Sequence, residues 1–183
     1  MIGTRVSRAV LCLAALCLAV VGVLLPDAHT VYAKPHGETP DEANEFLDRF
    51  IGQWRGEGTA NGVPIKSDLA CERVFEDNTF LRMADREIEG ANFQADTYVG
   101  YRVETKRYEL YTFNNNTAFG SSLPFRFMTG RRAGDKLVME EKRGPGALRY
   151  TFEFLDEDTF RLTKSLVEGH HEPPIVIETY RRQ

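Results

Sequence analysis

The histidine pair in the segment VEGHHEPP carries the side chains best suited to metal or cofactor chemistry. His170 and His171 are flanked by Glu168 and Glu172, so imidazole and carboxylate groups, both common metal ligands, occur together. Adjacent residues of an extended chain point to opposite faces, so the two imidazoles cannot easily share one ion. The nearby glycine and prolines predict a loop between two strands. The sequence therefore predicts no metal site, and a solvated pair of loop histidines is the simpler interpretation.

Acidic residues within an apolar strand pattern are a second candidate for chemistry. Asp85 and Glu87 fall on the same face as Leu81 and Met83. Two carboxyl groups in an apolar interior would have shifted pKa values, as in many active sites. A twist or bulge at Ala84 would instead send both side chains outward. We expect the outward arrangement.

Lys164 and Cys71 are the remaining candidates. Lys164 is in line with Phe160, Leu162 and Leu166. Its ammonium group can either reach the rim of that apolar face or serve as the counter-ion of an acidic ligand, and both alternatives stay open. Cys71 shares a face with Leu69 in a strand-like run, which predicts a buried, unreactive thiol.

The first 33 residues predict a cleaved signal peptide. Arg5 and Arg8 precede an apolar run from Val10 to Leu25, and the small or branched residues of Val31-Tyr32-Ala33 suit cleavage after Ala33. The alternative is a membrane anchor, but the apolar run is shorter than the roughly 20 residues that a spanning helix needs. We therefore expect export, to a secreted or periplasmic location, and no membrane span after cleavage.

The rest of the chain has the size of one domain. We divide it into a polar leader at 34–41 and a folded domain at 42–183. The whole sequence contains 23 Lys and Arg against 27 Asp and Glu, a formal net charge of −4. Nucleic-acid binding needs a concentrated basic face, so we expect no nucleic-acid partner.

One short helix is predicted at the start of this domain. Thr39 can cap it, Pro40 suits its first position, and Glu42 completes a capping box. After these capping residues, apolar residues recur at helical spacing at Ala43, Phe46, Leu47, Phe50 and Ile51. Gly52 ends this helical pattern.

Everything after this helix predicts β-strands separated by turn signals. The segment LRYTFEF shows the clearest alternation of apolar and polar residues, which is typical of a sheet that covers a core on one side. Ten short antiparallel strands avoid exposed edges by closing into a barrel. The predicted strands are 53–60, 64–75, 79–88, 93–103, 106–114, 117–128, 136–142, 147–155, 158–166 and 174–182.

Barrel closure explains the glycines around the single tryptophan in FIGQWRGEGTANG. A strand that joins the two ends of a barrel must bend and let neighbouring backbones approach, which glycine permits. Trp54 is then expected to point inward and fill the closed end, with the helix as a cover. A phosphate-binding loop would need a strand before it and a helix after it, and the order here is reversed.

Aromatic residues are concentrated between Phe93 and Phe127. Aromatic walls with scattered hydroxyl groups suit a pocket for a small apolar or amphipathic molecule. Bulky residues that merely fill a barrel are an equally good interpretation. The candidate ligand-binding residues are Tyr98, Tyr101, Tyr111, Phe125 and Lys164.

Several short motifs resemble known families. Gly52-x-Trp54 after a short helix resembles the lipocalin and calycin signature. The longer form through Gly56 and Gly58 is similar to a bacterial lipocalin-like family of unassigned function and to the ten-stranded nitrobindin-type haem barrels. The segments VGYRVETKRYELYTFNNNT and IETYRR are similar to the central and closing patterns of the bacterial lipocalin-like family. The resemblance implies a ten-stranded lipocalin-like antiparallel barrel.

The resemblance also implies roles for three residues. In calycins a basic residue of the last strand stacks on the first-strand tryptophan, which would be Arg182 on Trp54, or Arg181 in a shifted register. Nitrobindin-like barrels bind haem through a late histidine, and His171 is the candidate here. The strand positions at which those relatives place their ligand hold Ile175 to Glu178, without an imidazole.

Three functions follow as hypotheses. The first is an exported protein that binds a small hydrophobic ligand in the barrel lumen. The second is a haem barrel that acts on nitrogen oxides or peroxide through His171. The third is an envelope interaction module with a filled core.

Overall fold

The structure is a computed structural model that describes residues 38–74, 80–89, 94–115, 125–142, 146–167 and 173–183, with the backbone alone at 87–89. The predicted signal peptide lies outside the described residues, as does the polar leader before residue 38. Within the described part of the chain, no helix has both the length and the apolar character needed to cross a bilayer.

The N-terminal helix forms as its capping pattern predicts. Helix α1 covers Pro40–Asp48. The Glu42 backbone N–H donates to Thr39 Oγ1 (3.3 Å), and the Thr39 N–H donates to Glu42 Oε2 (2.8 Å), so two otherwise unpaired donors are satisfied. The buried face of α1 carries Ala43, Phe46 and Leu47.

Ten strands follow α1, and their short length and turn spacing were predicted from the sequence. They are β1 (Gly52–Ala60), β2 (Val63–Arg73), β3 (Leu81–Glu89), β4 (Gln94–Arg102), β5 (Arg107–Asn114), β6 (Phe125–Ala133), β7 (Lys136–Glu140), β8 (Leu148–Phe154), β9 (Thr159–Leu166) and β10 (Pro174–Arg182).

The strands close into one barrel, which confirms the predicted fold class, a ten-stranded antiparallel lipocalin-like (calycin) barrel. The hydrogen-bonded order is β1-β10-β9-β8-β7-β6-β5-β4-β3-β2, and β1 returns to pair with β2. Neighbouring strands are antiparallel throughout, and Trp54 of β1 faces Arg182 of β10 across the closing pair. Closure leaves no unpaired edge strand.

Strand β6 is the largest departure from the predicted boundaries. The sequence predicted a strand at 117–128, whereas β6 covers Phe125–Ala133. Gly130 and the two arginines after it interrupt the apolar pattern and hide the strand. Gly130 is nevertheless needed in the strand, because a Cβ atom there would lie 2.1 Å from the Val138 carbonyl oxygen of β7.

The glycines of β1 allow β10 to approach closely. A Cβ atom on Gly58 would lie 1.9 Å from the Ile177 carbonyl oxygen and 2.7 Å from Glu178 Cα. A Cβ atom on Gly56 would meet side chains instead, at 2.5 Å from Ser67 Oγ and 2.7 Å from Tyr180 Cε1. Gly58 therefore makes room for a backbone, and Gly56 makes room for two polar side chains inside the barrel.

One end of the barrel, here called the closed end, is filled by aromatic side chains beneath α1. Phe50 lies 4.5 Å from Phe154 and 5.2 Å from Phe160 between ring centroids, and Phe160 continues to Trp54 at 4.9 Å. Trp54 is 1% exposed, and its Nε1 donates to the Phe50 carbonyl oxygen (2.7 Å). The indole thus joins the strand β1 to the chain that leaves the helix.

Arg182 covers the tryptophan from the end of β10. Its Cζ atom lies 4.2 Å from the centroid of the Trp54 ring. Its guanidinium also donates to the carbonyl oxygens of Ile51 (2.6 Å) and Arg49 (3.0 Å), which follow α1. The predicted pair is therefore in contact, in the register that uses Arg182 and not Arg181, and it ties the helix to both closing strands.

Cys71 lies in the same apolar cluster and is buried. Burial, with a smaller contribution from the charge of Asp85, raises the pKa of its thiol far above the usual value. The thiolate needed for nucleophilic chemistry does not form at neutral pH, in agreement with the interpretation of a buried, unreactive thiol.

Candidate functional site in the barrel lumen

The half of the barrel away from α1 encloses a cavity. The enclosed space is small, ≈ 60 Å³. Sites for drug-sized molecules hold about 300–1,000 Å³, so a ligand of that size would need the lining side chains to move apart. The lumen is therefore packed with side chains at the closed end and keeps a narrow cavity at the other, here called the open end.

The wall of this cavity combines three kinds of side chain. Its apolar part comes from Leu69, Met83, Ala95, Leu148, Phe152, Phe160, Leu162, Ile175 and Val176. Its neutral polar part comes from Thr97, Thr112, Asn114, Tyr150 and Tyr180. Its charged part comes from Asp85, Arg126 and Lys164. Such a mixture suits a ligand with an apolar body and at least one polar group.

A buried network on β2 and β10 organises the polar side of the wall. Glu178 is 3% exposed, and its two carboxylate oxygens accept from the hydroxyl groups of Ser67 (2.7 Å) and Tyr180 (3.0 Å). The absence of a side chain at Gly56 provides the space for both hydroxyl-bearing residues. A buried carboxylate is tolerated because both of its oxygens are hydrogen-bonded.

Arg126 enters the lumen from the start of β6. Its side chain is 6% exposed, and its Nη1 donates to Glu141 Oε1 at 2.5 Å. The second oxygen of Glu141 accepts from the Leu148 backbone N–H (2.9 Å). Glu141 is thereby held behind the wall, while Arg126 lines the cavity itself.

Lys164 lines the cavity from β9. Its Nζ lies 5.3 Å from the centroid of the Tyr150 ring. Burial of the ammonium lowers its pKa, but the charges of Tyr150, Asp85 and Glu178 outweigh that effect and raise the pKa above its usual value. Lys164 is therefore a cation at neutral pH. Lys164 lines the cavity and is half-buried, which is consistent with both the counter-ion and the rim alternatives.

Asp85 is buried in the cavity wall, so the expected outward orientation was wrong. It is 7% exposed, and its strand pairs regularly with β4 through Ala84 and Asp85, without a bulge. The register shift in this region lies further along β3, where the consecutive β2 residues Lys66 and Ser67 pair with Glu89 and Glu87. The side chain of Glu87, its predicted companion, lies outside the described residues.

Three of the predicted ligand-binding residues do not line the cavity. Tyr98, Tyr111 and Phe125 alternate with the inward residues of β4, β5 and β6, so they lie on the outer face of the barrel. There, Tyr111 contacts Phe125 (6.5 Å between centroids) and Phe127 (5.0 Å), and Phe125 is 42% exposed. We call this group of residues (Tyr111, Phe113, Phe125 and Phe127) the outer aromatic cluster. An abundance of aromatic residues in the sequence does not by itself show whether they line the lumen or lie on the outer face.

Tyr101 points inward but at the closed end. It is 6% exposed, and its hydroxyl group donates to the Glu38 carbonyl oxygen (2.7 Å), next to α1. Tyr101 therefore helps to hold the N-terminal segment on the barrel. Of the five predicted ligand-binding residues, Lys164 alone lines the cavity.

Arg126 and Glu178 were not predicted as site residues. Glu178 lies two residues from both Val176 and Tyr180, so it shares their face, and the period-two pattern contains the signal for an inward carboxylate. Arg126 lies between two phenylalanines in FRF, and in β6 the buried face is that of the arginine. A prediction that places the apolar residues inside therefore reverses the two faces of β6.

Tyr180 provides a prediction of pH dependence. Burial, together with the charges of Asp85 and Glu178, raises its pKa well above the usual value of 10. Below pH 10 the phenol is protonated in both folded and unfolded chains. Above it, the unfolded chain loses this proton and the folded chain keeps it, so stability should fall as pH rises, by up to about 1.4 kcal/mol per pH unit for each such proton.

Chemical denaturation at pH 8 and at pH 10.5 measures this effect. Tyr108, whose pKa burial also raises, contributes in the same direction. The variant Tyr180→Phe should show a shallower loss of stability with pH than the unchanged protein. An equal slope in both proteins would contradict a buried, protonated Tyr180.

The predicted haem ligand, His171, lies outside the described residues, as does His170. Among the residues that the structure describes, no group of three or more metal-binding side chains is present. The described wall of the cavity, including Ile175 and Val176, contains no imidazole. The described residues of the wall supply no haem ligand, and His171 as the haem ligand stays a prediction.

Comparison with known proteins identifies a similar fold and no family. No protein-family model matches the chain, and no curated protein matches it. Among solved structures, the chain is similar to the S-type phycobiliprotein lyase CPES from Guillardia theta, with a TM-score of 0.52 and 16% sequence identity. The match covers 80% of this chain and 94% of the lyase chain. At this identity the likeness shows the fold alone, and it supports the calycin-like barrel.

Proposed function

We propose that this protein is an exported lipocalin-like carrier or sensor that binds a small hydrophobic ligand in the open half of its lumen. The observation that supports this function is the contrast between the two ends of the barrel. The closed end is packed with aromatic rings, whereas the open end has a cavity with an apolar wall and a few convergent polar groups. Barrel diameter grows with strand number, and eight strands already enclose an interior that side chains just fill or that holds one small ligand, so ten strands leave room for one.

The similar structure, a phycobiliprotein lyase, shows that this type of barrel occurs in a protein with a biochemical activity. We propose that the barrel of the present chain serves a small ligand, without assigning it a lyase activity. The predicted signal peptide adds an extracytoplasmic location to the proposal, and an exported product that begins at Lys34 would support it.

Binding of the neutral, apolar dye N-phenyl-1-naphthylamine tests the proposal. The dye should become fluorescent when it enters the lumen of the purified protein. Ala95 lines the cavity and is 6% exposed, so Ala95→Phe should fill part of the narrow space and weaken dye binding by about tenfold or more. Its neighbour Gln94 is exposed, so Gln94→Phe adds the same ring outside the lumen and should leave binding unchanged.

The pair of variants also distinguishes dye binding in the lumen from dye binding at the outer aromatic cluster. If both variants bind the dye as the unchanged protein does, the dye is bound on the outside and the proposed function is contradicted. A protein that does not bind the dye at all would contradict it as well.

The haem alternative stays a prediction, because His171 lies outside the described residues. A Soret band in the absorbance spectrum of the purified protein, lost in His171→Ala, would favour it. The absence of that band after growth with added haem would contradict it.

A further inference from the structure

The described residues that line the cavity carry more positive than negative charge. Arg126 and Lys164 line the cavity, and so does one described carboxylate, Asp85. The other two acids of the site, Glu141 and Glu178, are not among the lining residues. Within the described part of the wall, the surface that a ligand meets therefore carries two positive charges and one negative charge.

The two acids that do not line the cavity accept hydrogen bonds from other protein groups. Glu141 uses its oxygens to accept from Arg126 and from the Leu148 backbone N–H. Glu178 uses its oxygens to accept from Ser67 and Tyr180. A ligand therefore meets Arg126, Lys164 and Asp85 directly, and the charge of Glu178 acts on the site through Lys164.

Arg126 retains the capacity to bind a ligand. A guanidinium group has five N–H donors in a planar arrangement that matches a carboxylate. Among the described residues, Arg126 donates one hydrogen bond, from Nη1 to Glu141. Lys164 contributes a second cation with three donors, and a ligand carboxylate would share it with its present neighbours.

Three of the apolar lining residues lie on the side of the closed end. Phe152, Phe160 and Leu69 lie toward the packed aromatic end of their strands, whereas Arg126 is at the start of β6, at the open end. An elongated ligand would accordingly place its apolar body inward and its charged group near the opening. Electrostatic interactions are strong in such a site because the surroundings exclude most of the water.

We infer that the lumen ligand is an amphipathic carboxylic acid, whose carboxylate is bound by Arg126 and Lys164 and whose apolar body lies against Phe152, Phe160 and Leu69. This inference rests on the proposed function, and it narrows the ligand class from a hydrophobic molecule to an anionic one. Aliphatic and aromatic acids share the required chemistry.

Displacement of N-phenyl-1-naphthylamine by matched ligands tests the inference. The ligands are octanoate, 1-octanol and octylamine, with 2-naphthoate to distinguish an aromatic from an aliphatic body. At pH 7 octanoate should displace the dye at a concentration about tenfold lower than 1-octanol, the ratio expected for one charge-assisted hydrogen bond. In Lys164→Met this ratio should approach one, while the affinity for 1-octanol stays the same.

Two further variants provide matched controls. The double variant Arg126→Gln and Glu141→Gln removes both charges of the pair while keeping polar side chains of similar shape, and it should lose the preference for octanoate. Asp85→Asn removes the one described acid that lines the cavity, and it should strengthen octanoate binding severalfold. If Lys164→Met does not fold, Lys164→Arg keeps the charge and should keep the preference.

The outcomes separate this inference from the proposed function. Equal displacement by octanoate and 1-octanol would overturn the carboxylate assignment and leave the lumen as a binding site. Stronger displacement by octylamine would overturn it in favour of a cation site at Asp85. If no dye binds in the lumen, the proposed function fails first and the inference fails with it.

Discussion

Gly58→Ala is expected to prevent the barrel from closing. The added Cβ atom would lie 1.9 Å from the Ile177 carbonyl oxygen and 2.8 Å from its carbonyl carbon. Weak contacts between carbon and oxygen are normally at least about 3.3 Å long, so β10 would have to move by more than an ångström. These contacts are with backbone atoms, and no side-chain rotation relieves them. We expect a destabilisation of more than about 4 kcal/mol, or no soluble folded protein.

Two variants of the same strand serve as controls. Gly56→Ala adds the same carbon atom against side chains, Ser67 Oγ and the Tyr180 ring, which adjust more readily, so its cost should be about 1–3 kcal/mol. Glu57→Ala changes an exposed residue and should alter stability by less than about 0.5 kcal/mol. Thermal unfolding followed by circular dichroism orders the three. A Gly58→Ala protein as stable as Glu57→Ala would contradict the closing contact between β1 and β10.

The barrel was predictable because two local signals agreed. Alternation in LRYTFEF matches the buried and half-buried residues of β8, and the capping box at Thr39 and Glu42 forms as the spacing predicts. The glycines near Trp54 predicted, in addition, which strand closes the barrel, because glycines are expected in a strand where a neighbouring backbone approaches closely. Periodicity and turn residues act over a few neighbours in the chain, so they are visible in the sequence.

The site was less predictable, because alternation shows which residues share a face but not which face is inside. In β6, the phenylalanines at 125 and 127 are 42% exposed, while Arg126 is buried. In β3, Asp85 is buried on the face that also carries Met83. The burial of Arg126 depends on a partner outside its own strand, Glu141, which follows β7, and a single strand does not show such a partner.

These exceptions lie together, and this supports a functional interpretation of the lumen. A barrel that only had to fold would be more stable with apolar residues at these inward positions, since buried ion pairs are often replaceable by hydrophobic groups at no cost. Here the buried charges line a part of the lumen that the described side chains leave open. The closed end, where no ligand is proposed, is instead built from aromatic rings.

Trp54→Ala is expected to lower stability by about 3–5 kcal/mol, as for other large buried aromatic residues. The substitution removes a side chain that is 1% exposed and packs at 4.9 Å from Phe160. It also leaves the Phe50 carbonyl oxygen without its indole donor and deprives Arg182 of the ring 4.2 Å away. At about 2–4 °C per kcal/mol for a domain of this size, the melting temperature should fall by roughly 6–20 °C.

Trp54→Phe separates packing from hydrogen bonding at this position. Phenylalanine keeps an aromatic ring beside Phe160 but cannot donate to the Phe50 carbonyl oxygen, so its cost should be smaller than that of alanine. Because the indole fills the closed end and does not line the cavity, the folded Trp54→Phe protein should bind N-phenyl-1-naphthylamine as the unchanged protein does. An unchanged melting temperature in Trp54→Ala would mean that the indole is not in the core. Loss of dye binding in a folded Trp54→Phe protein would mean that the packing of the closed end affects binding at the open end.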